Sequence, residues 1–168
     1  MIMETIYTNA TIITRDNTLT GTLVVEDGAV KDIDTSIFLG SGAIDLEGDI
    51  LLPGLIEMHT DNLEKNIQPR PGVFWPSLLS AALAHDSQIA GAGITTVFDA
   101  IAVGGLRESS LRSKIFSDSI KALTRGKELD IFKADHFLHL RCEVSDEFME
   151  QMLLPHSLNP NIRLISIM

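Results

Sequence analysis

The sequence predicts an α/β protein in which a small all-β module precedes a parallel sheet covered by helices. Two observations carry this reading. Residues 5–52 break into short, β-branched runs separated by turn residues. After Pro53-Gly54, strand-length apolar runs alternate with stretches of helical period, the pattern of strands joined by helical crossovers. The expected division is therefore a β module over residues 1–52 and a partial β/α unit over residues 53–168.

Each element has its own signal. Thr5–Thr14 (TIYTNATIIT) is rich in Thr and Ile, and Gly21–Asp27 (GTLVVED) is a second strand. Asp27-Gly28 is a hairpin turn into Ala29–Ile33, and Ala43–Leu52 is a fourth strand broken at Gly48. Leu55–His59 opens the second unit as a short apolar run. Trp75–Ala92 reads as a helix: Pro76 suits its first turn, and Leu78, Leu79, Ala82, Leu83 and Ile89 recur at helical spacing, with Gly91 and Gly93 to stop it. Ile94–Ala100 is a buried strand, Ser109–Leu123 an amphipathic helix and Ala134–Cys142 a third strand. Ser145–Met152 is a helix with Ser145 as its cap, and Ile162–Met168 is a fourth strand. Four such strands suit a doubly wound sheet or part of an eight-stranded barrel. A full barrel takes about 250 residues, so residues 53–168 would be the first half of one. The closing strand carries no turn, cap or helix after it, which fits that expectation.

Composition narrows the function. Apolar residues make up 45% and charged residues 21% of the 168, an ordinary globular balance. Thirteen Lys and Arg against 23 Asp and Glu leave a net charge of −10, which disfavours nucleic acid and anionic membranes as partners. Bound metal ions can reverse that field locally, so an anionic substrate stays open. One cysteine, Cys142, precludes an internal disulfide and fits a reducing compartment. No apolar run reaches the roughly 18 residues of a membrane span. Met1–Asp16 lacks a basic segment followed by a long apolar one, so no signal peptide is expected and the cytoplasm is the expected location.

The chemistry concentrates in Leu51–Trp75, LLPGLIEMHTDNLEKNIQPRPGVFW. Residues i and i+2 of a strand share a face, so His59 and Asp61 present an imidazole and a carboxylate side by side at a strand's carboxyl end. Parallel α/β architectures place their sites there. Nitrogen and oxygen donors so arranged suit Zn²⁺, Mn²⁺ or a similar ion. The bland alternative is a surface His beside a helix-capping Asp. Glu143, at the end of the third strand, is a candidate third ligand over the same rim. Its alternative is a first-turn carboxylate favoured by a helix dipole.

Several stretches together resemble a known family. LLPGLIEMHTDNLEK is similar to the segment that opens the barrel of amidohydrolase-superfamily enzymes after a β-sandwich. Within that superfamily PRPGVFWP, AHDSQIAGAGITTVFDA and ADHFLHLRCEV resemble the PhnM family of the carbon–phosphorus lyase pathway. The resemblance implies a small β-sandwich module followed by the first half of an amidohydrolase-type (β/α)8 barrel. It implies a diphosphatase that hydrolyses α-D-ribose 1-methylphosphonate 5-triphosphate to the 5-phosphate and pyrophosphate, using a divalent metal, Zn or Mn, in a mononuclear or binuclear site. The metal ligands it assigns are His59, Asp61 and Glu143. The remaining ligands and the catalytic residue of such barrels fall on later strands, beyond Met168, so this chain alone is expected to be weakly active. The family commonly has His where this chain has Asn66, and Asn is neither a strong metal ligand nor a proton carrier.

The remaining polar residues divide by position. Lys65, Arg70 and Arg141 are candidates to bind phosphate oxygens, against solvated loop charges for the first two and a structural ion pair for Arg141. His136 and His139 fall on opposite faces of one strand, and His139 shares its parity with Arg141 and Glu143. His139 and Asp99 are the candidates to support the ligands by hydrogen bonds, while His136 reads as structural. His85 lies within a helix and Cys142 reads as a buried thiol. Gly104-Gly105 is a turn and not a phosphate loop. Two rivals stand beside the diphosphatase: a non-catalytic half-barrel acting by self-association or by pairing with a complementary half, and another amidohydrolase acting on C–N bonds. The expected partners are the phosphorylated ribosyl phosphonate substrate and either a second copy or a missing carboxyl-terminal half.

Overall fold

The computed structural model describes residues 3–104 and 111–168, with side chains described outside 111–113. The chain divides into two compact units, Met1–Pro53 and Gly54–Met168.

The first unit is a five-stranded sheet built from β1 (Glu4–Ile13), β2 (Thr18–Glu26), β3 (Ala29–Asp34), β4 (Ile44–Asp45) and β5 (Ile50–Leu51). β1 pairs antiparallel with β2 and parallel with the two short strands, and β2 pairs antiparallel with β3. Asp27 and Gly28 both take positive φ, the tight turn that Asp-Gly supplies between twisted strands. The break between β4 and β5 falls at Glu47-Gly48, which also take positive φ. The β1–β2 register slips between Tyr7 and Ala10, where Asn9 takes φ 53°, a conformation Asn tolerates.

The second unit carries a four-stranded parallel sheet in the order β6 (Leu55–Thr60), β7 (Ile94–Val103), β8 (Asp135–Cys142), β9 (Ile162–Ile167). Each strand pairs with its successor, without the reversal of order that marks a doubly wound sheet, and this is the order of a β/α barrel. The helices are α1 (Asn62–Ile67), α2 (Leu78–Gly91), α3 (Leu111–Glu128) and α4 (Met149–Leu153), the last followed by a 3₁₀ turn over Leu154–His156. Among the described residues no helix is long and apolar enough to cross a membrane.

The core lies between sheet and helices. Ile101 and Val103 of β7 and Leu138, Leu140 and Cys142 of β8 pack with Leu63 and Ile67 of α1, Ala81 and Ala82 of α2, and Phe116, Ile120 and Leu123 of α3. Odd positions of β7 and even positions of β8 therefore face the helices. The other parity faces the opposite side, where Phe98 and Phe137 meet with ring centroids 5.6 Å apart.

Three local expectations need correction. α2 begins at Leu78 with Ser77 as its cap, whose Oγ accepts from the Ser80 amide at 3.3 Å. Trp75 and Pro76 precede it, because Ser offers a side-chain acceptor to the open first turn. The last helix begins at Met149, not Ser145. Asp146 accepts from the Phe148 amide at 2.7 Å, and this local bond holds the preceding residues in a turn. The stretch after Asp61 contains helix α1, which buries Leu63 and Ile67 one turn apart. The expected start of α3 at Ser109, and Gly105 of the Gly-Gly turn, lie outside the described residues.

Candidate metal-binding rim

His59 and His139 approach each other across the sheet face turned away from the helices, with ring centroids 5.0 Å apart and edges to face. Asp61 follows the end of β6 directly. Its Oδ1 lies 3.6 Å from His59 Nε2 and 3.3 Å from Arg141 Nη1. Strand parity gathers these groups, since His139 and Arg141 alternate with the core residues Leu138 and Leu140 on β8. His139 Nε2 is bonded to Ser166 Oγ of β9 at 3.0 Å.

This cluster is electrostatically paired but incompletely bonded. Asp61 Oδ1, His139 Nδ1 and Arg141 Nε are buried without a hydrogen-bond partner. The Arg141–Asp61 separation is that of an ion pair, yet the two groups are not aligned as a hydrogen bond. Burial pushes the His139 imidazole below its ordinary value, with the neighbouring His59 and Arg141 charges adding to the effect and the Met58 backbone and the Asp61 charge opposing it. His139 is therefore held neutral, the form that ligates metals. Two imidazoles and a carboxylate are donor types that a borderline divalent cation takes, so the residues fit the expected metal.

Glu143 follows the last residue of β8 directly. Its amide donates to Val103 O and its carbonyl accepts from the Asp146 amide, so it begins the turn after β8. Lys65 is exposed on α1, with Nζ 3.5 Å from Asn62 Oδ1. Asn66 donates to the Asn62 carbonyl at 2.9 Å, a local helical bond. Arg70 is exposed in a turn that pairs it with Val73. The PRPGVFWP stretch contributes Phe74, Trp75 and Pro76 to a separate cavity of about 220 Å³ with Leu78, Lys114 and Ile115.

Asp99 requires a correction: expected to support the ligands by a hydrogen bond, it is fully buried on the helix-facing side of β7. Its two oxygens are divided between His85 Nε2 of α2 at 2.7 Å and His136 Nδ1 of β8 at 2.8 Å. His136 Nε2 lies 3.3 Å from Asp86 Oδ1, and Asp86 accepts from the amides of Lys133 and Ala134. Burial opposes both charges. Even so, the bonds and charge of Asp99, then Asp86, raise His136, and the bonds and charges of His136 and His85 lower Asp99. A protonated His136 between two carboxylates is the consistent state. His85, Asp99 and His136 place three donor atoms within 4.8 Å, the one such grouping among the described residues and one able to hold a cation. A cation there would have to replace the 2.7 and 2.8 Å bonds that already use those atoms. The rim donors are less tightly grouped, and the side chains of His59 and Asp61 among them reach solvent.

Sequence reasoning missed this buried network and the approach of Arg141 to Asp61. The first had a legible signal: Asp99 interrupts the apolar run TTVFDAIAV, and a buried carboxylate needs partners.

No family model matches the chain. In sequence it is 40% identical over 139 residues to the alpha-D-ribose 1-methylphosphonate 5-triphosphate diphosphatase of Escherichia coli (strain K12), covering 83% of this chain and 36% of that protein. The chain thus spans about a third of the length of the curated relative it matches. Among solved structures it is similar to a D-hydantoinase, with a TM-score of 0.60, 23% identity, and coverage of 97% of this chain and 32% of that one. It is also similar to the N-acetyl-D-glucosamine-6-phosphate deacetylase of Mycobacterium smegmatis, with a TM-score of 0.58, 13% identity and coverage of 98% and 43%. The dihydropyrimidinase of Brevibacillus agri gives a TM-score of 0.55, 20% identity and coverage of 97% and 32%. At these identities the likeness is one of fold: a sheet module followed by part of an amidohydrolase-type barrel.

Proposed function

We infer that this chain belongs to the PhnM family of the amidohydrolase superfamily, corresponds to an amino-terminal portion of its members, and carries part of a divalent-metal site that hydrolyses a ribosyl triphosphate. The substrate proposed is the one in the relative's name, α-D-ribose 1-methylphosphonate 5-triphosphate, cleaved to the 5-phosphate and pyrophosphate. The observation that supports this reading is the convergence of His59, Asp61 and His139 beside the half-buried guanidinium of Arg141, with Asp61 Oδ1 and His139 Nδ1 lacking hydrogen-bond partners.

His59, Asp61 and His139 would hold a Zn²⁺ or Mn²⁺ ion. When bound, such an ion polarises a phosphoryl oxygen and lowers the pKa of water. Arg141 offers donors to a phosphate oxygen at the same rim, and the exposed Lys65 and Arg70 offer charge farther out. Glu143 remains a candidate ligand at the end of β8. Further ligands and the catalytic base are proposed to come from barrel strands beyond the four described, so these 168 residues alone should turn over poorly. The single buried Cys142 fits action in the cytoplasm.

The test is pyrophosphate release from the ribosyl triphosphate with added Mn²⁺ or Zn²⁺, for the wild type and His59→Ala. Slow, metal-dependent release that the substitution abolishes supports the reading. Release indifferent to both metal and His59 overturns it.

A further inference from the structure

We propose that Arg141 is an exchangeable counter-cation: it neutralises Asp61 in the metal-free chain and becomes an anion-binding group once Asp61 takes a metal, so that metal and phosphate binding are coupled through it. The proposal rests on the metal reading above. Asp61 Oδ1 is buried, lies 3.3 Å from Arg141 Nη1, and has no hydrogen-bond partner. A guanidinium that served only to fix Asp61 would be expected to align its forked donors on the carboxylate, as arginine does where the pair is structural. Here the contact is a bare approach of opposite charges.

The rest of the arginine side chain points the same way. Its Nε is buried and unpartnered, while the side chain as a whole is 20% exposed. An idle, desolvated donor on a fixed cation is costly unless a ligand completes it. On the same face of β8, the 6%-exposed His139 has an Nδ1 without a hydrogen-bond partner. His139, His59 and Asp61 thus present donors to a cation, and Arg141 beside them presents donors to an anion. A cation taken up by Asp61 neutralises the charge that holds Arg141 and leaves the guanidinium free for an oxyanion. An oxyanion on Arg141 in turn weakens its competition for Asp61. By linkage the two effects are equal in size. The ligand class is a phosphoryl oxyanion, matched by the planar fork of arginine.

The experiment uses the whole chain, with Mn²⁺ and inorganic pyrophosphate as probes, followed by calorimetry. Free Mn²⁺ is held fixed by buffering when pyrophosphate is titrated. Three proteins are compared: wild type, Arg141→Gln and Arg141→Lys, each shown to be folded by circular dichroism. Loss of the competing charge should let Arg141→Gln bind Mn²⁺ about fivefold tighter at low salt, a modest effect appropriate to a partly exposed pair. Arg141→Lys should bind Mn²⁺ like the wild type. Mn²⁺ should strengthen pyrophosphate binding to the wild type, and this strengthening should be absent in Arg141→Gln. Unchanged or weaker Mn²⁺ binding by Arg141→Gln, with pyrophosphate binding unaffected, would overturn the proposal and leave Arg141 as a support for Asp61. A wild type that binds no Mn²⁺ fails the metal reading itself, and the counter-cation role falls with it.

Discussion

His136 Nδ1 lies 2.8 Å from Asp99 Oδ2, with both side chains buried between β7, β8 and the helix α2. The bond joins neighbouring strands, and the second oxygen of Asp99 ties them to His85. Removing one partner of a buried charged pair leaves the other uncompensated. Asp99→Asn should therefore cost about 3 kcal/mol or more of folding stability. Urea unfolding of the two proteins checks it, and a loss below about 0.5 kcal/mol, the size of an ordinary surface substitution, contradicts it.

The same pair sets a pH window. His136 is raised above its ordinary 6.5, so its contribution is fully present below that value and is lost as pH rises through the folded pKa. Asp99 is held below its ordinary 3.8, so its contribution is present above that value and is lost as pH falls through the folded pKa. Stability from this network should be greatest between the two ordinary values. Unfolding free energy measured from pH 4 to 9 should decline on the alkaline side, and His136→Gln should flatten that decline. An equal slope in the variant assigns the decline to other groups.

In the first unit Gly21 sits where β2 passes close to the end of β3. A Cβ built there would fall 1.9 Å from the carbonyl oxygen of Asp34. Backbone cannot yield as a flexible side chain does, so Gly21→Ala should destabilise by about 1–3 kcal/mol. Gly28 has open space but a φ of +82°, so Gly28→Asn, a residue that accepts this conformation, should cost far less. Comparable losses in the two variants would mean that the strand contact is not what requires glycine.

β6 and β9 each pair with one neighbour and form the two edges of the parallel sheet. Leu55, Ile56, Ile165 and Ile167 are exposed on them. Open apolar edges template further pairing, so the 168-residue chain should self-associate in a concentration-dependent way. Ile165→Lys should lower the mass measured by light scattering. A monomer at all concentrations, with or without the substitution, would contradict the expectation.

Much of this was legible before any coordinates. The Asp27-Gly28 turn, the break at Gly48 and the alternation after Pro53 follow from local chemistry, and the corresponding strands and turns are present. Parity alone separates His136 from His139 on β8, and one does lie in the helix-side network while the other meets His59. The misses have separate causes. Helix α1 is too short for a periodic signal and is held by burial of Leu63 and Ile67. The side taken by Asp99 depends on where β7 starts in the pleat, and a one-residue change reverses the face, so Asp99 lies in the core. Arg141 lies on the face it was expected to share with His139, and its approach to Asp61 is a tertiary contact that strand parity does not specify.

The central claim is that His59, Asp61 and His139 together bind one divalent cation. Calorimetric titration of Mn²⁺ and Zn²⁺ into the wild type, His59→Ala, His139→Ala and His85→Ala tests it most directly. The account predicts a saturable site in the wild type, a loss of about tenfold or more in affinity for each of the two rim variants, as when a ligand group is removed, and no change for a folded His85→Ala. Binding that persists in both rim variants but disappears in His85→Ala would contradict it, and would move the metal to the buried grouping of His85, Asp99 and His136.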